Sequence, residues 1–276
     1  MKPAAFSYHR AASIDDAVNV LASAGGMARA LAGGQSLMPM LNLRLAPLEI
    51  LVDLGYLAEL RQCAEQVNSV RYGTLVTHAA FEDRRVPDAS NGLMPHVATR
   101  IAYRAVRNRG TIGGSIALAD PAADWLPTLI ALRAEITLAG PRGRRTVAVP
   151  DFVVGAYTTA LQDDELIEAI TVPRQSKSEK WGYYKVAPKA GEYAKSLAIV
   201  LLNVPGGSAC VILGAVDGAP LRLPATALAA LDGADEAALA RATRAELMAS
   251  GRDFSGIKLT LHTTTVVRAI MDARAK

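Results

Sequence analysis

Two glycine pairs followed by polar residues carry the clearest chemical signal in the chain. They are Ala32-Gly33-Gly34-Gln35-Ser36 and Thr111-Ile112-Gly113-Gly114-Ser115. Backbone without a Cβ can approach a ligand closely. The exposed N–H groups of such a turn, with hydroxyl groups beside them, suit phosphate oxygens. A single Gly-Gly segment is more commonly a plain turn, but two of them in one chain could hold the two phosphates of a dinucleotide.

The residues around the first glycine pair predict a small β-α-β unit. A short strand is expected at residues 5–9, and Ser13 then has the type and position of a helix N-cap. An apolar strand over residues 28–31 runs directly into the glycine pair, and a further strand is expected at 48–54. The glycine segment therefore lies at the carboxyl end of a strand, the usual place for ligands in such units.

The remaining patterns predict helices and antiparallel strands on either side of a polar linker. Before the linker we expect strands at residues 70–74 and 165–172 and a hairpin formed by 135–138 and 146–149. Helices are expected at 77–84, 93–105 and 122–132. The polar segment 174–180 (RQSKSEK) indicates a domain boundary. Beyond it we expect three strands and two helices, at residues 181–186, 197–204, 209–216, 234–249 and 258–274.

Composition narrows the class of protein. The chain has 276 residues, of which 51% are hydrophobic and 20% charged, as in a globular protein of one large domain or two. The formal charge of +4 is weak evidence for nucleic-acid binding. One arginine cluster, Arg104-Arg107-Arg109, abuts the second glycine pair and could face phosphate or a partner. A second cluster, Arg142-Arg144-Arg145, is typical of a solvated hairpin tip.

The cysteines, histidines and missing motifs exclude several kinds of site. Cys63 and Cys210 are far apart, which argues against an iron–sulfur or zinc centre and fits a reducing, cytoplasmic compartment. The start of the chain lacks a signal-peptide core, and no apolar run is long enough to span a membrane. Metal-ligand spacing is absent from the four histidines, His9, His78, His96 and His262.

The usual nucleotide and hydrolase signatures are also absent. The sequence has no G-x-G-x-x-G after a strand, no Walker motif and no G-x-S-x-G elbow. A chain that binds a dinucleotide without acid–base machinery points to electron transfer, in which the cofactor supplies the chemistry.

Several segments resemble one known family. They are SYHRAASIDDAVNVLA, AGGQSLMPMLNLRLAPLEILVDL, RNRGTIGGSIALADPAADWLPTLIAL, DELIEAITVP and YYKVAPKAGEYAKSLA. In this order they resemble the FAD-binding medium subunit of the molybdenum hydroxylases, the group of carbon monoxide dehydrogenase medium chain and the xanthine dehydrogenase flavin domain.

This resemblance implies an α+β fold with two domains. The FAD-binding domain would span residues 1–175, with subdomains at about 1–60 and 61–175. The C-terminal domain, residues 176–276, would hold a three-stranded antiparallel sheet and helices. Both glycine segments, Ala32–Ser36 and Thr111–Ser115, would bind the diphosphate.

The resemblance also implies roles for four single residues. Asp124 would bind the flavin's sugar-like chain, and Ile167 would line the flavin pocket. Lys185 would lie near the isoalloxazine ring and Tyr193 over its face. Each has an alternative: Asp124 could cap the following helix, Lys185 could be an exposed strand residue, and Tyr193 could anchor a turn.

Some residues depart from the family pattern. Ser115 stands where many members have Asn, and Glu192 where Asp is common. The C-terminal helix lacks a Tyr-Arg pair that is frequent in the family, which puts its partner contacts in doubt. The chain also lacks the cysteine-bearing insertion of the hydroxybenzoyl-CoA reductase branch, so that branch is not expected.

The function implied is that of a noncovalent FAD subunit through which electrons leave a molybdenum hydroxylase. Its partners would be a large subunit with molybdopterin and a small subunit with two [2Fe–2S] clusters, in a dimer of heterotrimers. Two alternatives remain: a stand-alone flavin oxidase or reductase, and a structural subunit that has lost its cofactor. The sequence determines neither the hydroxylated substrate nor the electron acceptor.

Overall fold

A computed structural model describes residues 2–276 as an α+β protein. The helices are α1 (Ile14–Ser23), α2 (Leu37–Asn42), α3 (His78–Glu82), α4 (Leu93–Arg100), α5 (Arg104–Arg107), α6 (Ile112–Leu118), α7 (Trp125–Ala131), α8 (Val149–Phe152), α9 (Pro224–Leu231), α10 (Glu236–Ala249) and α11 (Gly256–Ala275). The strands are β1 (Ser7–Arg10), β2 (Ala28–Leu31), β3 (Ile50–Asp53), β4 (Cys63–Glu65), β5 (Ser69–Gly73), β6 (Glu135–Gly140), β7 (Gly143–Ala148), β8 (Val153–Gly155), β9 (Thr158–Thr159), β10 (Leu166–Pro173), β11 (Lys180–Val186), β12 (Ser196–Asn203), β13 (Ser208–Gly214) and β14 (Leu221–Arg222).

The first unit is a three-stranded parallel sheet in the order β1-β3-β2, which confirms the predicted β-α-β unit. Helix α1 begins as the sequence predicted, because the Ser13 hydroxyl accepts a hydrogen bond from the Asp16 amide at 3.0 Å. Its apolar stripe, Ile14 to Leu21, is buried at positions spaced three and four apart. All three strands point their carboxyl ends the same way, so the segment after β2 emerges at that edge.

The second unit is an antiparallel sheet in the order β4-β5-β10-β6-β7. Strand β10 is its centre and pairs with both β5 and β6. The predicted hairpin at 135–149 is present as β6 and β7. A register shift in β10 between Ile167 and Ala169 marks a bulge beside the site described below.

The C-terminal sheet is antiparallel, in the order β11-β12-β13-β14. The three predicted strands are β11, β12 and β13, and the two-residue β14 adds a fourth. One face of this sheet packs against α9 and α11, with α10 lying against those two helices, while Leu197 and Ile199 on the other face join the largest core cluster around Trp125. The two halves of the chain therefore share one hydrophobic core.

One expectation about local structure, a helix over residues 93–105, is wrong in detail. The helix predicted over residues 93–105 is broken, because Ile101 is extended and Ala102 has a φ of +42°. The polar segment 174–180 is held against the preceding unit: the Arg174 amide donates to the Asn68 carbonyl at 2.8 Å, and the Asn91 side chain donates to the Ser176 carbonyl at 2.7 Å. Polar composition thus marked a surface connection tied down by backbone hydrogen bonds.

Candidate functional site

A cavity of about 880 Å³ lies where the units meet. All of the predicted site residues except Ile112 border it: Ala32, Gly33, Gly34, Gln35, Ser36, Thr111, Gly113, Gly114, Ser115, Asp124, Ile167, Lys185 and Tyr193. Ile112 is completely buried and faces the core instead. Residues more than 150 positions apart in the chain thus come together at one site.

The first glycine segment presents backbone donors. It follows β2 directly, and Gly34 has a φ of +71°, a conformation that favours glycine. No protein group in residues 2–276 accepts a hydrogen bond from the amides of Gly33, Gly34, Gln35 or Ser36. Buried or half-buried backbone donors are normally paired, and successive unpaired N–H groups in a turn form an anion-binding nest.

The second glycine segment has a different structure from the one predicted. It is the first turn of α6, and its amides are used inside the protein. The Ile112 amide donates to the Val76 carbonyl at 3.0 Å and the Gly113 amide to the Thr74 carbonyl at 3.1 Å. Thr111 is the N-cap, and its hydroxyl accepts from the Gly114 amide at 3.1 Å. The prediction of a turn with exposed N–H groups is wrong for this segment.

Close packing explains why glycine is required in both segments. A Cβ added to Gly33 would lie 2.1 Å from the Arg109 carbonyl oxygen. A Cβ added to Gly113 would lie 1.7 Å from the Thr74 hydroxyl oxygen. Gly114 is less confined, since its added Cβ would meet the Thr111 hydroxyl at 3.0 Å. The missing side chains of Gly33 and Gly113 therefore make room for the protein's own atoms.

Asp124 and Lys185 form a buried ion pair in the cavity wall. The Lys185 ammonium lies 2.9 and 3.1 Å from the two carboxylate oxygens, and both side chains are almost fully buried. The Tyr183 hydroxyl donates to the same carboxylate at 2.6 Å. Burial raises the pKa of the Asp124 carboxyl, whereas Lys185 and Tyr183 act in the opposite direction.

These contacts decide between alternatives that the sequence left open. Asp124 occupies the N-cap position of α7, but its side chain makes no capping hydrogen bond. Lys185 points into the protein rather than into solvent, and its ammonium also donates to the Arg100 carbonyl at 3.2 Å. The carboxylate is therefore held by the strand β11 residues across the cavity wall and not by the helix that it precedes.

Tyr193 and Tyr157 stand at the mouth of the cavity. They are 64% and 63% exposed, and Asp120 lies close to both. The Tyr157 hydroxyl donates to the Asp120 carboxylate at 3.2 Å. Burial, and secondly the Asp120 charge, raise the pKa of both tyrosine hydroxyls. Ile167 is buried on β10 and adds an apolar wall.

The predicted arginine role is not supported by the structure. Arg104 and Arg107 are both bonded to Glu82, and Arg104 also to Asp83, with N–O distances of 2.6 to 2.8 Å. Arg109 is exposed and does not border the cavity. Arg104 and Arg107 therefore hold α5 against α3 and are neutralised by Glu82 and Asp83, whereas Arg109 stays exposed.

The residues that border the cavity and that sequence reasoning missed include His78, Asp120 and Tyr157. A histidine outside any ligand spacing carries no motif signal. Tyr157 has a φ of +53°, a conformation that no pattern in the neighbouring residues predicts. Within residues 2–276, no group of three or more His, Cys, Asp or Glu residues could hold a metal ion. No helix in that range combines the length and apolarity needed to cross a membrane.

Comparisons with known proteins agree with this geometry. A family model described as the FAD binding domain in molybdopterin dehydrogenase matches residues 4–175. The nicotine 6-hydroxylase medium subunit of Paenarthrobacter nicotinovorans is 36% identical over 79% of this chain and 76% of its own length. The carbon monoxide dehydrogenase medium chain of Hydrogenophaga pseudoflava is 37% identical over 75% of this chain and 72% of its own length.

A solved structure extends the match to the C-terminal sheet. A chain of carbon monoxide dehydrogenase from Hydrogenophaga pseudoflava, in a form lacking the Mo-pyranopterin moiety, superposes with a TM-score of 0.92 at 34% identity. The match covers 100% of this chain and 99% of that one. Fold and site define an FAD-binding α+β oxidoreductase subunit. The chain belongs to the family of FAD-binding domains of molybdopterin dehydrogenases.

The residues of the cavity fit FAD. Its volume lies within the range of about 300–1,000 Å³ that is common for ligand sites. The unpaired amides at Gly33 to Ser36 suit a diphosphate, which brings negative charge and several acceptor oxygens. A buried lysine and two exposed tyrosines lie farther along the wall, where a flat heterocycle needs a charge and aromatic surfaces.

Proposed function

We propose that this chain binds FAD noncovalently in the cavity and passes electrons from a partner subunit to an external acceptor. The observation that carries the proposal is the row of four unpaired backbone amides, Gly33 to Ser36, beside the cavity. FAD supplies the redox chemistry, and the protein supplies binding, orientation and electrostatics.

The two ends of the cavity hold different parts of the cofactor in this proposal. The amides of Gly33–Ser36 bind the diphosphate, and the Ser115 hydroxyl, which has no partner among residues 2–276, adds a further donor. Segment Thr111–Gly114 holds the facing wall in place through α6. The diphosphate end thus combines a row of unpaired amide donors with a facing wall that is hydrogen-bonded within the protein.

The other end holds the flavin. Asp124 accepts from the ribityl chain, while Lys185 keeps a positive charge near the isoalloxazine ring. Their ion pair excludes water from that wall, because both groups are buried and satisfied by one another. Ile167 would line the flavin pocket, and Tyr193 would lie over the face of the ring. Tyr193 is well placed to move with the ligand, since it is largely exposed.

The partners proposed are those of a molybdenum hydroxylase. A small subunit with [2Fe–2S] clusters delivers electrons, a large subunit carries molybdopterin, and the complex is a dimer of heterotrimers in the cytoplasm. Support comes from relatives named as medium subunits or medium chains. We further propose a domain boundary near residue 175, where the family match ends. The shared core across that boundary predicts that the halves stay in contact.

Reconstitution tests the cofactor. The purified full-length chain is incubated with FAD, separated from free flavin by gel filtration, and examined for visible flavin absorbance and fluorescence quenching. We expect uptake of one FAD per chain and release of unmodified FAD on denaturation. A chain that takes up no flavin contradicts the proposal, and flavin that stays attached after denaturation contradicts noncovalent binding.

Purification from native cells tests the partners. We expect the chain to elute together with one larger and one smaller subunit, and with iron and molybdenum in the same fractions. An iron-free chain that turns over a substrate alone would instead favour the stand-alone flavin oxidase. The electron acceptor is then identified by supplying oxygen, quinone, cytochrome or NAD to the intact complex.

A further inference from the structure

His78 lies in the cavity wall, and its side chain neither caps a helix nor forms an ion pair. It is the first residue of α3, after the N-cap Thr77, and only 5% of its surface is exposed. Its amide donates to the Gly110 carbonyl at 2.9 Å. The backbone of His78 is therefore hydrogen-bonded to the loop that leads into the second glycine segment.

One contact determines the tautomer of the His78 ring. The Trp125 indole N–H donates to the His78 Nδ1 at 3.0 Å. An indole nitrogen is a donor only, so Nδ1 must carry a lone pair. The proton of a neutral imidazole is then on Nε2. Burial lowers the pKa of His78 to about 4, which keeps the ring neutral near pH 7.

The Nε2 donor has no acceptor among residues 2–276. This edge of the ring lies against Gly110, where an added Cβ would be 2.9 Å from both Nε2 and Cδ2. Gly110 in turn lies against Gly33, whose added Cβ would be 2.9 Å from the Gly110 Cα. The free donor edge of His78 and the unpaired amides of Gly33–Ser36 thus belong to one stretch of wall.

Nε2 itself is not among the fully buried atoms that lack a partner, so this donor is open to the cavity that the ring borders. The ring borders the cavity, and its other nitrogen is occupied on the core side by Trp125. A ligand in the cavity is therefore the remaining source of an acceptor. The amides assigned to the diphosphate border the same cavity, and Gly110 lies between them and the ring, so ligand oxygens bound there are in the same region.

We propose that His78 donates its Nε2–H to a diphosphate oxygen of the bound dinucleotide, as a side-chain member of the binding site at Gly33–Ser36. The inference rests on the proposed function. Trp125 acts behind it as a positioning residue, since its indole N–H orients the ring and selects the tautomer. Gly110 leaves the ring edge uncovered, because a Cβ there would displace it.

Two substitutions separate this role from a structural one. His78→Asn keeps an acceptor near Trp125 but has no donor at the Nε2 position, whereas His78→Gln places an amide N–H there. We expect the FAD dissociation constant of His78→Asn to rise about tenfold or more, the effect of one hydrogen bond to a charged group. His78→Gln should stay within about threefold of the wild-type value. Riboflavin, which has no phosphate, should bind all three proteins alike.

Several outcomes overturn the inference. Wild-type affinity for FAD in His78→Asn does so, and so does equal weakening of FAD and riboflavin without rescue by Gln, since that indicates a structural role. A wild-type chain that takes up no FAD at all contradicts the proposed function instead.

A measurement on the unaltered chain covers the case in which the variants do not fold. In protein with ¹⁵N-labelled histidine, we add ADP, which carries the diphosphate and adenosine without the flavin. It should shift the Nε2–H resonance of His78 and leave its Nδ1 resonance in place. An unchanged Nε2 resonance at saturating ADP overturns the inference.

Discussion

The two glycine segments look alike in sequence and differ in physics. Both read as Gly-Gly followed by a polar residue. In the first, Gly34 has a positive φ and four successive amides have no protein acceptor within the described chain. In the second, Thr74, Val76 and Thr111 take up the amides of the helix start. Both glycine pairs permit close packing, but only the first also presents free donors, and the hydrogen-bond partners reveal this difference.

The largest expected effect comes from placing a side chain in the packed segment. In Gly113→Val the new Cβ would lie 1.7 Å from the Thr74 hydroxyl oxygen, with Thr74 backbone 2.9 Å away. We expect the free energy of unfolding to fall by about 3 kcal/mol or more, because neither neighbour can move freely. Urea unfolding of the FAD-free chain measures this. Gly114→Ala is the control and should lose much less, and equal losses in the two variants would contradict the packing argument.

The second effect concerns the support beneath that segment, where His78 binds the Gly110 carbonyl. The pKa of His78 is about 4 in the folded chain and about 6.5 when unfolded. Because the pKa is lower in the folded chain, the stability that the neutral, buried ring contributes is fully present above pH 6.5 and is lost as the pH falls to 4. The difference corresponds to about 3 kcal/mol. We expect wild-type stability to fall over this range more steeply than that of His78→Asn, as measured by urea unfolding at each pH; parallel curves would contradict it.

The third effect tests the open segment. In Gly34→Ala the residue is strained at a φ of +71°, and its Cβ would lie 3.1 Å from Met38 Cγ. We expect about 1 kcal/mol of lost stability and a rise of about tenfold in the FAD dissociation constant as the amides shift.

Gly143→Ala is the matched control for Gly34→Ala. Gly143 has a φ of +96° with open space around it, and it lies on a hairpin tip outside the cavity. Its stability should fall similarly while FAD affinity is unchanged. If both variants bind FAD equally, the amides of the first segment are not the diphosphate site.

The smallest effect sharpens what the second segment contributes to binding. The Ser115 hydroxyl borders the cavity, and within residues 2–276 it has no hydrogen-bond partner. Ser115→Ala should change the free energy of unfolding by less than about 0.5 kcal/mol and weaken FAD binding about threefold. Isothermal titration with FAD measures the second quantity. A tenfold loss would mean that the second segment donates as strongly as the first.

The sequence was sufficient for features that depend on neighbours along the chain. Helix α1 begins after Ser13 because its hydroxyl accepts a hydrogen bond from the Asp16 amide, and the hairpin of β6 and β7 follows from alternation around its glycine turn. Most strands and helices were predicted from local pattern, and the predicted site residues other than Ile112, which do border the cavity, came from the glycine pairs and the resemblance. Where a local signal competed with distant packing, as at the break near Ala102, the prediction was wrong.

The sequence by itself determined the β-α-β start, the hairpin of β6 and β7 and the family of FAD-binding domains, because periodicity, caps and motif order are local properties. Tertiary structure decided what each polar group does. Asp124 meets Tyr183 from 59 residues away, and Trp125 meets His78 from 47 residues away. The amides of the second glycine segment find acceptors in the Thr74–Val76 segment. A hydrogen bond exists only where the fold brings donor and acceptor together, so both glycine pairs allow close packing while only the first keeps a row of free donors.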